Sequence, residues 1–581
     1  MTNRLGDKQM TATAMFAGAA PDHTVHWHAI PWRAVFRTVR RLQVRIVKAI
    51  QQGRWGKVQA LVHLLTHSFS GRACAVLRVT ENSGNKTPGV GGEVWDDPEQ
   101  KAHALHTLRR RGYQAQPLRR VYIPKSNSDH MRPLGIPTIR DRAMQALYLL
   151  GLEPIAETLG DPHSYGFRVG RCCADALERC RHLLCRRHSA AWVLEGDIKS
   201  CFDRISHDWL LTHIAMDKVI LRQWLKAGYL EAEAFHPTQT GTPQGGIISP
   251  ALANRALDGL QAELQRHFKA TPRQARQTKV HLVRYADDFV VTGSSRELLA
   301  EQVLPVVQRF LSSRGLELSR DKTKITAVAD GFDFLGQQVR RLGRKLLVRP
   351  AKAKVRALLD KVRDTIGRSG AWTAGELIQQ LNPLLRGWTL YHRHAHSSRT
   401  FAYVDRVLRN CLWRWARRRH RHRTCAWIRQ RYFPRRAEGT MVFCGVVMDK
   451  EGRKKAVYLF HPTRQRIRRH VLIRGEANPF DPVCEEYFEQ RLLRGMLQTL
   501  AGQSRLRFLW QRQQGLCPIC GQSLTPPRGC QMHHRQWRVY GGEDLAYNLE
   551  LLHPNCHRQV HSQGVSVDQA ASPVEEAFVK A

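Results

Sequence analysis

The sequence predicts a multidomain α+β protein, and three observations carry that prediction. At 581 residues the chain is too long for one hydrophobic core. Its middle alternates strand-like runs ("RRVYIPK", "WVLEGDIKSCF", "HLVRYADDFVVTG") with helical ones such as "IRDRAMQALYLLGLEPIAETL". Its last part, from about Ser504, is short and rich in Cys and His, the mark of a small domain stapled by a metal.

In chain order, Trp32 to about Ser70 places apolar residues at helical spacing among Arg and Lys, which predicts one or two amphipathic helices with a basic outer face. "ENSGNKTPGVGGEVW" reads as a loop. The alternating α+β region follows, from about Leu118 to Leu347. An Arg/Trp-rich helical region comes next, from about Pro350 to Phe433, then a second basic stretch and the Cys/His tail.

With 92 Lys+Arg against 49 Asp+Glu, the formal charge is +43, an excess that self-repels unless a polyanion neutralises it. Nucleic acid is the expected partner. Fourteen Cys in a chain of this length do not suggest a disulfide framework, so a reducing compartment is expected. With no run of about 18 apolar residues, the expectation is a protein with no membrane partner, in the cytoplasm (bacterial cytosol or organelle matrix).

Asp287 and Asp288 sit side by side in the apolar run "HLVRYADDFVVTG". Two adjacent buried carboxylates repel, so they require a cation, a turn, or both. Strand periodicity would send them to opposite faces, and only a tight hairpin at "ADD" lets both reach one site. Asp197, at the end of the strand-like "WVLEGD", supplies a third carboxylate. Mg²⁺ is the hard cation that such oxygen donors suit.

"NSGNKTPGVGG", "RRVYIPKSNSDHMRPLGIPTIRDRAMQ", "SYGFRVGRCCADAL", "GDIKSCFDRISHDWL", "GTPQGGIISPALANRALD", "VRYADDFVV", "GLELSRDKTKI" and "FDFLG" follow one another in an order that resembles the group II intron-encoded reverse transcriptases, which are also splicing maturases. The resemblance implies a right-hand polymerase with fingers and palm, a helical thumb/maturase domain and, at the end, a small zinc-stabilised ββα-metal HNH domain. It divides the chain into an N-terminal basic helical extension (1–75), fingers and palm (76–347), thumb/maturase (348–455), a DNA-binding region (456–503) and an HNH endonuclease domain (504–581). Asp197, Asp287 and Asp288 become the catalytic Mg²⁺ ligands. Lys125 and Arg132 would contact the incoming triphosphate, and Phe202 would crowd a ribose 2′-hydroxyl so that deoxynucleoside triphosphates are preferred. Gln244 would contact the nucleotide, and Lys322 would protonate pyrophosphate.

In "NCLWRWARRRHRHR", Arg417, Arg418, Arg419, Arg421 and Arg423 are too dense for an ordinary solvated face and are assigned to RNA backbone, while Trp413 and Trp415 are expected in the helices' own core.

In the tail, Cys517 and Cys520 share a two-residue gap with His553 and Cys556, a closed tetrahedral zinc set of structural type, with Cys530 the alternative to His553. "MHHRQWRVYGGEDLAYNLELL" between the pairs, with "CHRQVH" behind, resembles HNH nucleases. By that resemblance His533, His557 and His561 hold a catalytic divalent metal, His534 is the general base, and Asn548 holds the loop or orients His534. His557 and His561 lie four apart, one helical turn, and share a face.

The functional expectation is an RNA-directed DNA polymerase that binds its group II intron RNA, assists splicing, and nicks target DNA for target-primed reverse transcription and intron mobility. The alternative is a maturase or RNA chaperone that keeps the polymerase fold only as a scaffold.

Overall fold

The computed structural model describes residues 26–82, 84–124, 131–435, 441–448, 452–499, 504–525, 529–537, 543, 545–563 and 567. Over the span expected to hold one or two basic helices, two form, Trp32–Gln51 and Trp55–His67, and a third, Phe69–Thr80, begins at its end. The first break falls at Gly53, which adopts φ +68°. The second falls at Ser68, whose hydroxyl accepts from the Gly71 amide at 2.9 Å and caps the third helix. The first and third of these helices pack on the long helix Ile139–Leu159.

Strands β1 (Leu118–Pro124) and β2 (Met131–Ile136) pair antiparallel and, with β4 (Tyr229–Glu231) and β5 (Ala234–His236), make a fingers-like sheet in the order β2-β1-β4-β5. A second sheet has β3 (Trp192–Gly196), β6 (His281–Tyr285), β7 (Asp288–Gly293) and β8 (Lys324–Ala327) in the order β6-β7-β3-β8. Every pair in it is antiparallel. Strands β9 (Phe332–Phe334), β10 (Gln337–Leu342) and β11 (Lys345–Pro350) lead out of this palm.

Four helices follow, Lys352–Gly367, Ala374–His392, Ser398–Arg419 and Cys425–Tyr432, and close a separate apolar core with the hairpin β12 (Cys444–Met448) and β13 (Lys454–Tyr458). Trp415 is buried there and Trp413 packs at its margin, so both serve the core as expected. The segment after β13 returns to the palm. There the buried Asp175 accepts from His470 Nε2 (2.8 Å), Arg491 Nη2 (2.6 Å) and the Ile473 amide (2.9 Å). Burial opposes ionisation of Asp175, but these partners win and hold its carboxyl at about 2.

The last unit is a ββα arrangement: β14 (Gln531–His534) pairs with β15 (Leu549–Leu552), and the helix Pro554–Gln563 follows. Its core is continuous with that of the N-terminal helices. Among the described residues no helix is long and apolar enough to cross a membrane.

Candidate functional sites

The hairpin demanded by the adjacent aspartates falls where geometry requires it. Tyr285 and Asp288 are the last paired residues of β6 and β7, leaving Ala286 and Asp287 as a two-residue turn. Ala286 takes φ +58°, the left-handed backbone that suits such a turn but is strained for alanine. The turn is braced from below by Arg284, whose side chain is fully buried and donates to the Ala286 carbonyl (3.3 Å) and to Asn254 Oδ1 (3.1 Å) and pairs with Asp258. Asn254 in turn donates to the Gly166 carbonyl at 2.8 Å, and a Cβ on Gly166 would strike the Ala286 amide nitrogen. Removing one partner of a buried pair strands the other charge. Arg284→Leu is therefore expected to cost about 3–5 kcal/mol of stability, measured by urea unfolding, and Arg284→Lys should recover little because an ammonium cannot fork to three acceptors.

Gly196 of β3 pairs with Phe289, so Asp197 emerges beside Asp288 at the ends of adjacent strands. The Asp197 carbonyl accepts from the Ser319 amide (2.8 Å), and its carboxylate pairs with Lys322 Nζ at 3.0 Å. The carboxylates of Asp287 and Asp288, unlike that of Asp197, have no ion pair among the described residues. Asp287 is pushed up by burial and then by Asp197, against Arg132 and Lys322. Asp288, although exposed to the cleft, is pushed up to about 6 by desolvation, then by Asp287 and Asp197. An oxygen-only donor set in which Asp287 and Asp288 are pushed up by burial and by neighbouring carboxylates fits a hard divalent cation.

Around this centre, Arg132 lies exposed on β2. Lys125 lies outside the described residues. Phe202, half-buried, meets Phe167 edge to face at 6.3 Å, and its carbonyl accepts from the Thr242 amide at 2.6 Å. The Gln244 carbonyl accepts from the Gly135 amide of β2 (2.7 Å), tying its loop to the fingers-like sheet. Gly245, at φ +120°, is needed there because a Cβ would come within 2.7 Å of the Gly135 carbonyl oxygen.

Arg417, Arg418, Arg419, Arg421 and Arg423 are all exposed at and beyond the end of helix Ser398–Arg419. They are not equivalent: Arg419 donates to the Gly370 and Trp372 carbonyls (3.1 and 2.9 Å) and lies over Trp415, and Arg423 lies over Trp427.

In the ββα unit, ligand atoms of Cys517, Cys520, His553 and Cys556 all lie within 4.8 Å of one another, and all four residues are buried. Cys530 is exposed and outside this cluster, in which His553 takes the fourth place. His553 Nδ1 is 3.3 Å from Cys520 Sγ, and its Nε2 faces the Ser523 carbonyl at 3.3 Å, which sets the ring's orientation. Hydrogen bonds from Cys520, Cys556 and His553 drive the Cys517 thiol well down, while Cys520 and Cys556 are pushed up. Three crowded sulfurs that cannot all ionise alone are compatible with zinc, which would take them all as thiolates.

His533, His557 and His561 form a second cluster with ligand atoms within 4.8 Å. His533 is buried and its Nε2 has no hydrogen-bond partner among the described residues, as suits a nitrogen that serves a metal. Its proton affinity is lowered to about 4, by burial and then by the neighbouring His rings, so the neutral, ligating form prevails. His534, next on β14, pairs in register with Leu549. Asn548 accepts from the Gln536 amide (2.7 Å) and donates to the Gln536 and Glu543 carbonyls (3.0 and 2.9 Å), so it holds the loop between the strands.

A third group, Cys172, Asp175 and His470, meets the same closeness, but the Arg491 guanidinium already neutralises its carboxylate. Sequence reasoning missed this hub and missed Arg284. The signal for Arg284 was a basic residue inside an apolar strand, two positions before "ADD".

Comparison with known proteins places family models along most of this chain. Residues 27–108 match the N-terminal domain of reverse transcriptase, and 123–339 match reverse transcriptase (RNA-dependent DNA polymerase). Residues 355–433 match the group II intron, maturase-specific domain, and 517–563 match HNH endonuclease. Protein YkfC of Escherichia coli is 35% identical over 323 residues, covering 49% of this chain and 83% of that protein. Group II intron-encoded protein LtrA of Lactococcus lactis is 32% identical over 338 residues, covering 48% of this chain and 56% of LtrA. An uncharacterized 91 kDa protein in the cob intron of Schizosaccharomyces pombe is 29% identical, covering 53% of this chain and 48% of that protein. The chain thus spans about half the length of the latter two.

Proposed function

Because the chain belongs to the group II intron-encoded reverse transcriptases and maturases and carries an HNH endonuclease domain, we propose that it joins three activities in one molecule: RNA-directed DNA synthesis, support of intron RNA splicing, and nicking of target DNA for target-primed reverse transcription. The observation that carries the polymerase reading is the turn at Ala286–Asp287, which sets Asp287 and Asp288 beside Asp197 at adjacent strand ends.

We assign Asp197, Asp287 and Asp288 as holders of Mg²⁺, which when bound would lower the barrier to attack by a primer 3′-hydroxyl on a deoxynucleoside triphosphate. Lys322, held beside the metal-binding carboxylates by its ion pair with Asp197, offers a proton to the leaving pyrophosphate. Arg132 and Lys125 meet the triphosphate, and Gln244 meets the nucleotide from a loop pinned to β2. Phe202, its ring edge to face with Phe167 and its carbonyl tied to the Thr242 amide, is the steric gate. Phe202→Ala is expected to raise ribonucleotide incorporation relative to deoxynucleotide by roughly one to two orders of magnitude, read as the ratio of kcat/KM for the two substrates. An unchanged ratio removes the gate.

For nicking, His534 takes the proton of the attacking water. His533, His557 and His561 are the residues that would hold a divalent ion, whose contribution would be to polarise the scissile phosphate. Asn548 keeps the strand-connecting loop closed. His534→Ala should reduce conversion of supercoiled plasmid to open circle by about 10²–10⁴-fold without affecting primer extension. Nicking that survives this change ends the general-base assignment.

Domain limits at 1–75, 76–347, 348–455, 456–503 and 504–581 accompany this reading. Group II intron RNA would bind over the basic N-terminal helices and the Arg417 to Arg423 surface, and the 456–503 region would meet DNA. The protein would act in the cytoplasm or an organelle matrix. The whole reading is tested by extending a DNA primer on an RNA template with the purified chain: absence of deoxynucleotide incorporation would leave the scaffold-only maturase.

A further inference from the structure

The helix that carries the nuclease's metal-ligating histidines has a second, occupied face. Cys556 and Val560 point into the module's own core, and His557 and His561 join His533. The remaining stripe, Asn555, Arg558, Gln559 and Gln563, repeats at helical spacing and meets the opposite end of the chain. Trp27 Nε1 donates to Asn555 Oδ1 at 3.1 Å across 528 positions of sequence. Gln559 Nε2 donates to the Ile30 carbonyl (3.3 Å), and Gln563 Nε2 to the His28 carbonyl (2.8 Å). Arg558 pairs with Glu81, at the C-terminal end of helix Phe69–Thr80.

This contact is built like an interior. Trp27, Ile30 and Trp32 are 2%, 1% and 2% exposed, and Asn555 and Gln559 are 5% and 6% exposed. The apolar core of the N-terminal helices continues through them into Leu509, Trp510, Leu549 and Val560 of the nuclease module. On the zinc side, a Cβ on Gly521 would lie 3.7 Å from Arg33 Nε, so the Cys517–Cys520 knuckle also approaches the first helix. Side-chain amides buried against specific partners fix one relative placement, because sliding the surfaces would leave them unpaired.

We infer that the segment 26–33 together with Glu81 is a docking platform for the nuclease module, and that Trp27, Glu81, Arg558 and Gln559 are positioning residues that hold the nicking site at a set spacing from the polymerase cleft. This rests on the nuclease reading above and adds what that reading does not contain: the cut is measured from the N-terminal helices. A nick placed at random would deliver its 3′ end to a varying distance from Asp197, Asp287 and Asp288.

The test uses the full-length protein in four forms: wild type, Glu81→Arg, Arg558→Glu and the double exchange, with Trp27→Phe as a milder probe that keeps the ring and removes the donor. Amide hydrogen exchange is followed in peptides covering 26–35 and 553–563. Nick positions are mapped on a synthetic duplex in which one strand passes from DNA into RNA, counting from the junction. Each single reversal should speed exchange in both peptides by at least tenfold and spread one dominant nick offset over several positions, and the double exchange should restore both. Trp27→Phe should shift both readouts in the same direction by less. Primer extension should be unchanged in Glu81→Arg and Trp27→Phe, showing that the palm remains folded. Unchanged exchange and offsets in the single variants, or no recovery in the double exchange, overturn the inference. A wild-type protein that does not nick at all refutes the nuclease reading instead, and the exchange data then judge the docking by themselves.

Discussion

Replacing Asp287 or Asp288 with Asn is expected to lower primer extension on an RNA template by at least about a thousandfold, equivalent to ~4 kcal/mol of activation free energy. The amide is close in size, so the hairpin should persist: Ala286 is held by Arg284 rather than by either carboxylate. The unliganded variants should not be less stable than wild type, because each change removes a charge that repels its neighbours. This pairing of lost activity with retained stability separates a metal-binding role from a structural one. A pH dependence follows from Asp288, whose carboxyl is raised to about 6 against an unfolded value of 3.8. Its folded state binds a proton more tightly than its unfolded state, so the metal-free protein should lose stability as pH rises from about 4 through 6, and Mg²⁺ should restore it above 6. In activity the sign reverses: below pH 6 the proton competes with the cation, so the Mg²⁺ concentration for half-maximal synthesis should climb steeply, approaching about tenfold per pH unit. A magnesium requirement that is flat between pH 7.5 and 5.5 would exclude Asp288 as a ligand.

The features that sequence carried well here are local ones. Two aspartates inside an apolar strand imposed a turn, because side chains in a strand alternate and like charges repel, and that argument needs only residues 281–293. The Cys/His pairs and the one-turn spacing of His557 and His561 were equally local. Trp415 was assigned to the core from its place in a helical pattern and is 5% exposed. What sequence hid is long-range and polar. Arg284 looks like one more base in a chain with 92 Lys+Arg, yet it is the buried brace of the Ala286–Asp287 turn, and its acceptors Asn254 and Asp258 come from a different helix and its cap. Asp175 gathers His470 and Arg491 from about 300 positions away, and Trp27 finds Asn555 across almost the whole chain. Such contacts have no period, so neither hydrophobic patterning nor motif spacing reveals them. The helical basic tract was legible as a whole but not residue by residue: Arg419 is committed to carbonyls and to Trp415, whereas the shared composition made all five arginines look alike.

Stripping the thiolate site is expected to abolish nicking while sparing DNA synthesis. Cys517, Cys520, His553 and Cys556 join the knuckle after helix Ser504–Arg512 to the start of helix Pro554–Gln563, the same helix whose next turns present His557 and His561. Zinc held there would contribute much of the module's stability; structural zinc contributes on the order of 10 kcal/mol in isolated fingers. Cys556→Ser, or treatment with 1,10-phenanthroline followed by its removal and return of Mg²⁺, should therefore unfold the ββα unit, scatter His533, His557 and His561, and reduce plasmid nicking by 10³-fold or more. Primer extension should remain within about twofold, because Asp197, Asp287 and Asp288 lie at the ends of strands in a different sheet, β6-β7-β3-β8, which contains no strand of the module. Zinc content, measured on wild type and Cys556→Ser, gives the stoichiometric check: one tightly held zinc should be lost with the nicking. The comparison with Cys530→Ser is decisive for the ligand set, since Cys530 is exposed and apart from the cluster. That variant should keep its zinc, its nicking and its DNA synthesis; loss of zinc there would return Cys530 to the site and displace His553.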